Sequence, residues 1–230
     1  MPKLLLHRGH MYLGNAKSGT TSVKKQFDLI RDDASLEIEN SNDFTQQYLD
    51  SIREHCRQLP KFVLFFHVRE PWDRFLSAVA TDIKRGACSP IERCKEIMNK
   101  SRLIIPNQPD SIAESGLVLK FAPVLETVYK VILLTLPPMS DKIESINVWN
   151  YGALKESMER HWNCQFDSHE NLTPPWIKNI VNDFFEGDTE FKQEWMEKNK
   201  KDLELYDLVS QQPMRSLSTR EYINKFYEKL

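Results

Sequence analysis

Apolar residues along this chain fall into short blocks separated by turn-forming stretches, and the spacing inside each block predicts its element. His10 to Leu13 reads as a short strand, Gly14-Asn15-Ala16-Lys17-Ser18-Gly19 as a turn, and the next segment as a helix carrying Val23, Phe27 and Ile30 on one face. The stretch from Asp32 to Asn42 is polar and acidic. Phe44 to Leu59 has Tyr48, Ile52 and Cys56 at a spacing of four, which predicts a helix ended by Pro60. Phe62-Val63-Leu64-Phe65-Phe66-His67-Val68 is almost continuously apolar without alternation, as expected of a central parallel strand covered on both faces. Pro71 then suits the first turn of a helix with Phe75, Leu76, Val79 and Ile83 inward, and Gly86 suits its stop.

Ala87 to Gly116 is rich in Pro, Ser, Asn and charge and reads as an insertion near a site, with a short helix at about Ile91 to Met98. Ile112 to Tyr129 is mainly helical in pattern, Val131 to Leu134 is a strand candidate closed by Pro137-Pro138, and Ile146 to Tyr151 is another. Helices are expected at Ala153 to Trp162, Pro175 to Phe185, Glu190 to Tyr206 and Ser218 to Leu230, where Ser218-Thr219-Arg220-Glu221 has the form of a capping box. The aromatics Trp176, Phe184, Phe185 and Trp195 read as core or helix-packing residues, as does Trp72.

Composition narrows the function classes. With 230 residues the chain suits one large α/β domain, 1–230, able to bury a core. A formal charge of −2 excludes a global basic field for nucleic acid, so an anionic ligand needs a local cationic pocket. Its apolar runs are far shorter than the roughly 18 residues that span a bilayer, and Leu4 to Leu6 is too short for a signal peptide. As given, the chain reads as cytoplasmic. Cys56, Cys88, Cys94 and Cys164 lack paired zinc spacing; Cys88 and Cys94 could close a short disulfide loop or stay as two thiols. The sequons at Asn99 and Asn171 would matter only in a secreted protein.

Gly14 to Thr21 has the glycine spacing of a Walker A loop, but Thr20 stands where the nucleotide-binding lysine belongs and the cation has moved to Lys17. Glycines let backbone N–H groups approach a phosphate, and the helix starting near Thr20 adds its positive end. An ordinary turn with a helix cap is the competing reading. Arg69 follows the buried strand and Ser77 lies two helical turns on. Strand C-termini line the ligand crevice of open parallel sheets, so Arg69 should reach the pocket that holds Lys17, with Ser77 as a neutral donor. The alternative is an ion pair of Arg69 with Glu70 or Asp73. Two anion sites on repeated strand–turn–helix units predict an α/β, P-loop-like three-layer fold: a central, mainly parallel sheet flanked by helices.

These residues resemble the PAPS-dependent sulfotransferases, where PAPS is 3′-phosphoadenosine 5′-phosphosulfate, and the carbohydrate type most. Asn15-Ala16-Lys17-Ser18-Gly19-Thr20-Thr21-Ser22 is similar to that family's 5′-phosphosulfate loop, and Phe66 to Ala78, with Arg69 and Ser77, to its 3′-phosphate segment. Ser168-His169-Glu170-Asn171 resembles a His-x-Asn loop near the donor, and Asp202 to Tyr206 a closing helix. The chain departs from the family at Tyr151-Gly152-Ala153-Leu154, where relatives often show Tyr-Glu-x-Leu.

The resemblance implies in-line transfer of a sulfuryl group from PAPS to an acceptor hydroxyl, with a glycan or small hydroxylated molecule as acceptor. Lys17 would stabilise the leaving phosphate oxygen; Ser18, Thr20, Thr21 and the loop N–H groups would hold the 5′-phosphate. Sulfuryl carries less negative charge than phosphoryl, so no metal is expected. The family places its general base between the two donor motifs; Glu39 and His55 are the candidates here. His67 reads as a core histidine or a supporting group. A P-loop nucleotide phosphotransferase and an inactive PAPS-binding relative are the alternatives. Golgi members of the family carry an anchor, so an excised Golgi-lumen catalytic domain is the alternative to a cytoplasmic protein.

Overall fold

The leucines at the start form a strand. Lys3–His7 (β1) and His10–Gly14 (β2) pair as an antiparallel hairpin with His7 opposite His10. Arg8 (φ 49°) and Gly9 (φ 74°) both take left-handed backbone, the condition for a two-residue turn whose twist matches the strands it joins. The Gly9 carbonyl accepts from the Val63 N–H at 3.0 Å, which ties the turn to the next strand inward. The computed structural model of the protein describes residues 3–14, 19–39, 54, 57–86, 89–103, 141–166 and 173–226.

Four further strands, Leu36–Glu39 (β3), Phe62–Val68 (β4), Ile143–Asn150 (β5) and Met214–Leu217 (β6), complete a six-stranded sheet in the order β3-β1-β2-β4-β5-β6. The strands β2, β4 and β5 run parallel, while β1/β2, β1/β3 and β5/β6 are antiparallel. The expected mainly parallel sheet is therefore corrected to a mixed one: α/β, with a parallel centre and antiparallel flanks. Parallel pairing is confined to the strands buried on both faces, as its crossover geometry requires. The flanks are made by a tight hairpin and by short edge strands.

Helices α1 (Thr20–Ile30), α2 (Pro71–Arg85), α3 (Pro90–Arg102), α4 (Leu154–Trp162), α5 (Pro175–Glu186), α6 (Thr189–Lys198), α7 (Lys200–Asp207) and α8 (Thr219–Phe226) are the helices of the described residues. The chain divides into two compact units: Met1–Arg69 with Val128–Glu170 and Leu205–Leu230, and Glu70–Thr127 with Asn171–Glu204.

In the sheet-bearing unit, Leu5, Tyr12, Phe65 and Trp149 on one face pack with Val23 and Phe27 of α1 and with Met158 and Trp162 of α4. Each such side chain, fully buried, contributes roughly 1.5–3 kcal/mol of apolar transfer energy. On the opposite face Phe66 meets Tyr222 of α8 edge-on at 6.4 Å. Ser218 and Glu221 form the expected capping box: Glu221 N–H donates to Ser218 Oγ at 3.1 Å, and Ser218 N–H to the Glu221 carboxylate at 2.7 Å.

Polar groups inside this unit are ordered by the donors available. The Trp149 indole, which can only donate, gives its N–H to His161 Nε2 at 2.9 Å. His161 must then carry its proton on Nδ1 and donate it to His10 Nδ1, 2.7 Å away. Burial pushes His161 down to about 3, so the ring is neutral.

The second unit is an aromatic helical cluster. Pro71 opens α2, the Glu70 carboxylate accepts from the Asp73 N–H at 2.6 Å as its N-cap, and Gly86 ends it. Trp72 stacks on Phe75 at 5.3 Å, meets Trp195 at 5.3 Å, and donates its indole N–H to Glu186 at 2.6 Å. The helix expected over Glu190 to Tyr206 is two helices broken at Asn199, whose amide donates to the Trp195 carbonyl at 2.7 Å. Phe185 and Trp195 are core residues, but Trp176 is 57% exposed and is corrected to a surface residue.

Candidate functional site

The site is positioned by the sheet's centre. From β2 the chain passes through α1 to β3 at one edge, whereas β5 lies on the other side of β4. The carboxyl ends of β2 and β4 thus border the point where the strand order diverges, the place where open α/β sheets keep their ligand crevice.

At the end of β2, Gly14 leads to the loop, and Gly19 closes it as the N-cap of α1 in left-handed backbone, φ 84°. Asn15, Ala16, Lys17 and Ser18 lie outside the described residues. A Cβ on Gly19 would lie 2.8 Å from Leu154 Cδ2 and 3.2 Å from Tyr151 Cε2, so the close approach of α4 and its preceding turn also demands glycine. Thr20 shares a side-chain hydrogen bond with the Tyr12 hydroxyl, and burial raises Tyr12 well above the usual phenol range despite that bond. The residue in the Walker lysine position is thus committed inward to a buried tyrosine. Thr21 is exposed, and Ser22 is buried on the inner face of α1.

At the end of β4, Arg69 lies half-buried with its guanidinium carbon 5.5 Å from the centroid of the Tyr151 ring. Arg69 has no salt bridge among the described residues. The Glu70 carboxylate, one of its expected ionic partners, is engaged as the α2 cap. Ser77 lies half-buried on α2, in the other unit.

Two residues back from Arg69, His67 is fully buried. Ser157 Oγ donates to the Leu154 carbonyl at 2.8 Å and therefore accepts from His67 Nε2–H, at 2.5 Å. His67 Nδ1 is buried without a hydrogen-bond partner among the described residues, and burial pushes the ring down to about 3. The neutral imidazole is thus held to α4 inside the sheet-bearing unit.

The candidate bases divide. Glu39 ends β3; because β3 and β2 are each antiparallel to β1, they run the same way, and Lys3 is the register partner of both Gly14 and Glu39. The Glu39 backbone therefore lies at the same end of the sheet as the loop, two strand spacings or roughly 10 Å from Gly14. His55, His169 and Asn171 lie outside the described residues. The predicted strand at Val131 to Leu134 does so as well.

Tyr151 is the functional candidate that the sequence pattern did not single out. It follows β5 in a single 3-10 turn, Tyr151–Ala153, where Asn150 Oδ1 accepts from the Gly152 N–H at 2.8 Å and Asn150 Nδ2 donates to the Val209 carbonyl at 3.0 Å. The available signal was the departure at Gly152 itself: a glycine follows the tyrosine where relatives of the resembled family often have glutamate.

Among the described residues no group of three or more His, Cys, Asp or Glu side chains is placed to hold a metal ion, and no helix is long and apolar enough to cross a membrane. Compared with protein-family models, with curated proteins and with solved structures, the chain finds no match.

Proposed function

We propose that the chain is a sulfotransferase that takes its sulfuryl group from PAPS and passes it to an acceptor hydroxyl, with a carbohydrate as the favoured acceptor class. The observation that carries this reading is the shared ring of Tyr151. Arg69, without a salt bridge among the described residues, lies over its face, and the closing glycine of the phosphate loop packs on its edge. A cation and a helix N-terminus held on one aromatic suit a ligand with phosphate at two positions.

In this reading the loop N–H groups and the start of α1 hold the 5′-phosphate, Lys17 takes up charge on the leaving oxygen, and Arg69 binds the 3′-phosphate, with Ser77 the neutral donor that the sequence pattern offers. The acceptor oxygen attacks sulfur in line, the sulfur–oxygen bond to the 5′-phosphate breaks, and 3′,5′-bisphosphoadenosine leaves. The acceptor proton passes to a base, for which Glu39 and His55 are the candidates. Thr20, bonded to Tyr12 where a nucleotide-binding lysine would stand, disfavours ATP chemistry.

Calorimetric titration with 3′,5′-bisphosphoadenosine, and with ATP plus Mg²⁺ in parallel, tests the reading. Metal-independent bisphosphate binding, weakened at least tenfold by Arg69→Ala as the loss of a charge-assisted pair implies, is the expected result. Binding of Mg²⁺-ATP with no bisphosphate binding would refute it in favour of a phosphotransferase.

A further inference from the structure

We propose that Tyr151 is a positioning residue that sets discrimination for the 3′-phosphate; this rests on the donor-site reading above. An arginine at a strand end has long flexible reach and loses side-chain entropy when it is fixed on a phosphate. Here the guanidinium is already over an aromatic face, at 5.5 Å. A ring contact occupies none of the five guanidinium N–H donors with an acceptor oxygen, whereas a carboxylate partner would.

The ring is held where the chain fixes its backbone. Its edge abuts Gly19, the turn that carries it is pinned by the Asn150 amide to Gly152 and Val209, and Leu154, the first residue of α4, packs on the same glycine. Tyr151 therefore transmits the place of the phosphate loop's end to Arg69, so the spacing between the two phosphate sites depends on it. Its job is to hold the arginine at a set separation from the loop, without contacting the reacting atoms.

The test compares 3′,5′-bisphosphoadenosine with adenosine 5′-phosphate, which lacks the 3′-phosphate. The wild type is expected to prefer the bisphosphate and Arg69→Ala to lose that preference. Tyr151→Leu should lower the preference, read as the ratio of the two affinities, about fivefold, within the range for a part-exposed cation–π contact. Tyr151→Phe, which keeps the ring face, should retain the preference.

A Tyr151→Leu variant as discriminating as wild type would overturn this assignment and leave the donor reading standing, and so would a Tyr151→Phe variant as poor as Tyr151→Leu. A wild type that binds neither nucleotide sinks the donor reading and this inference together. Independently of ligand and of how Tyr151→Leu folds, the Arg69 Nε–H resonance of the wild type should show a ring-current shift that Arg69→Lys assigns by its disappearance; an unshifted resonance also overturns the assignment.

Discussion

Replacing Gly19 with alanine probes the joint between the phosphate loop and α4. Gly19 has φ 84°, a conformation that costs an L-residue about 1–2 kcal/mol. The new Cβ would also lie 2.8 Å from Leu154 Cδ2. Leu154 is only 8% exposed and belongs to the core, so its methyl moves at the expense of its neighbours; overpacking of this kind costs about 1–3 kcal/mol. Because the obstructing atom is the end of a side chain, the steric part falls in the lower half of that range, and the total is about 2–4 kcal/mol. Urea unfolding at neutral pH, followed by tryptophan fluorescence, measures it. The double variant Gly19→Ala/Leu154→Ala should be more stable than the sum of the two singles by about 1 kcal/mol, because the clash is removed while the backbone strain stays. A loss below about 0.5 kcal/mol for Gly19→Ala, or strict additivity in the double variant, would refute the reasoning.

Stability should also depend on pH in a way set by three buried groups. Burial lowers His67 and His161 from 6.5 to about 3, so their contribution is complete above pH 6.5 and is lost as pH falls toward 3, at about 1 kcal/mol per pH unit for each histidine. Burial raises Asp202 from 3.8 to about 7 against the pull of Arg74, so its contribution is complete below pH 3.8 and is lost as pH rises through 7. Between pH 4 and 6 the three oppose one another, and Asp202→Asn should steepen the rise of stability with pH; an unchanged slope in urea unfolding across that interval would count against the assignment. Ser218→Ala removes one arm of the capping box and should cost about 1 kcal/mol, read from the urea midpoint, whereas no loss would mean that the cap does not hold α8.

Local pattern was enough for much of this fold. The unbroken apolar run Phe62–Val68 became the central strand at the predicted limits, because a strand covered on both faces has no polar position to mark a face. Pro71, Gly86 and the Ser218/Glu221 pair marked helix ends because caps act within a few residues of sequence. The strand, glycine-rich loop and helix around Gly14 to Thr20 were legible for the same reason, as was the place of Arg69 at a strand end.

What the pattern did not reveal depends on partners distant in the chain. Leu36–Glu39 looked like a polar loop and is an edge strand, since an edge needs one buried face and a neighbour, here β1. The leucines at the start became a hairpin arm only because Arg8 accepts a left-handed conformation beside Gly9, which changed the sheet from mainly parallel to mixed. Tyr151 was marked only by the departure beside it at Gly152; its meeting with Gly19 and Arg69 joins segments more than a hundred and more than eighty residues apart. Residue pattern set the central strand, the capped helix ends and the glycine-rich loop, because propensity, capping and apolar period are short-range. Tertiary packing alone decided which strand is an edge, which histidine is neutral and which ring holds the arginine, because burial and contact are properties of neighbours in space.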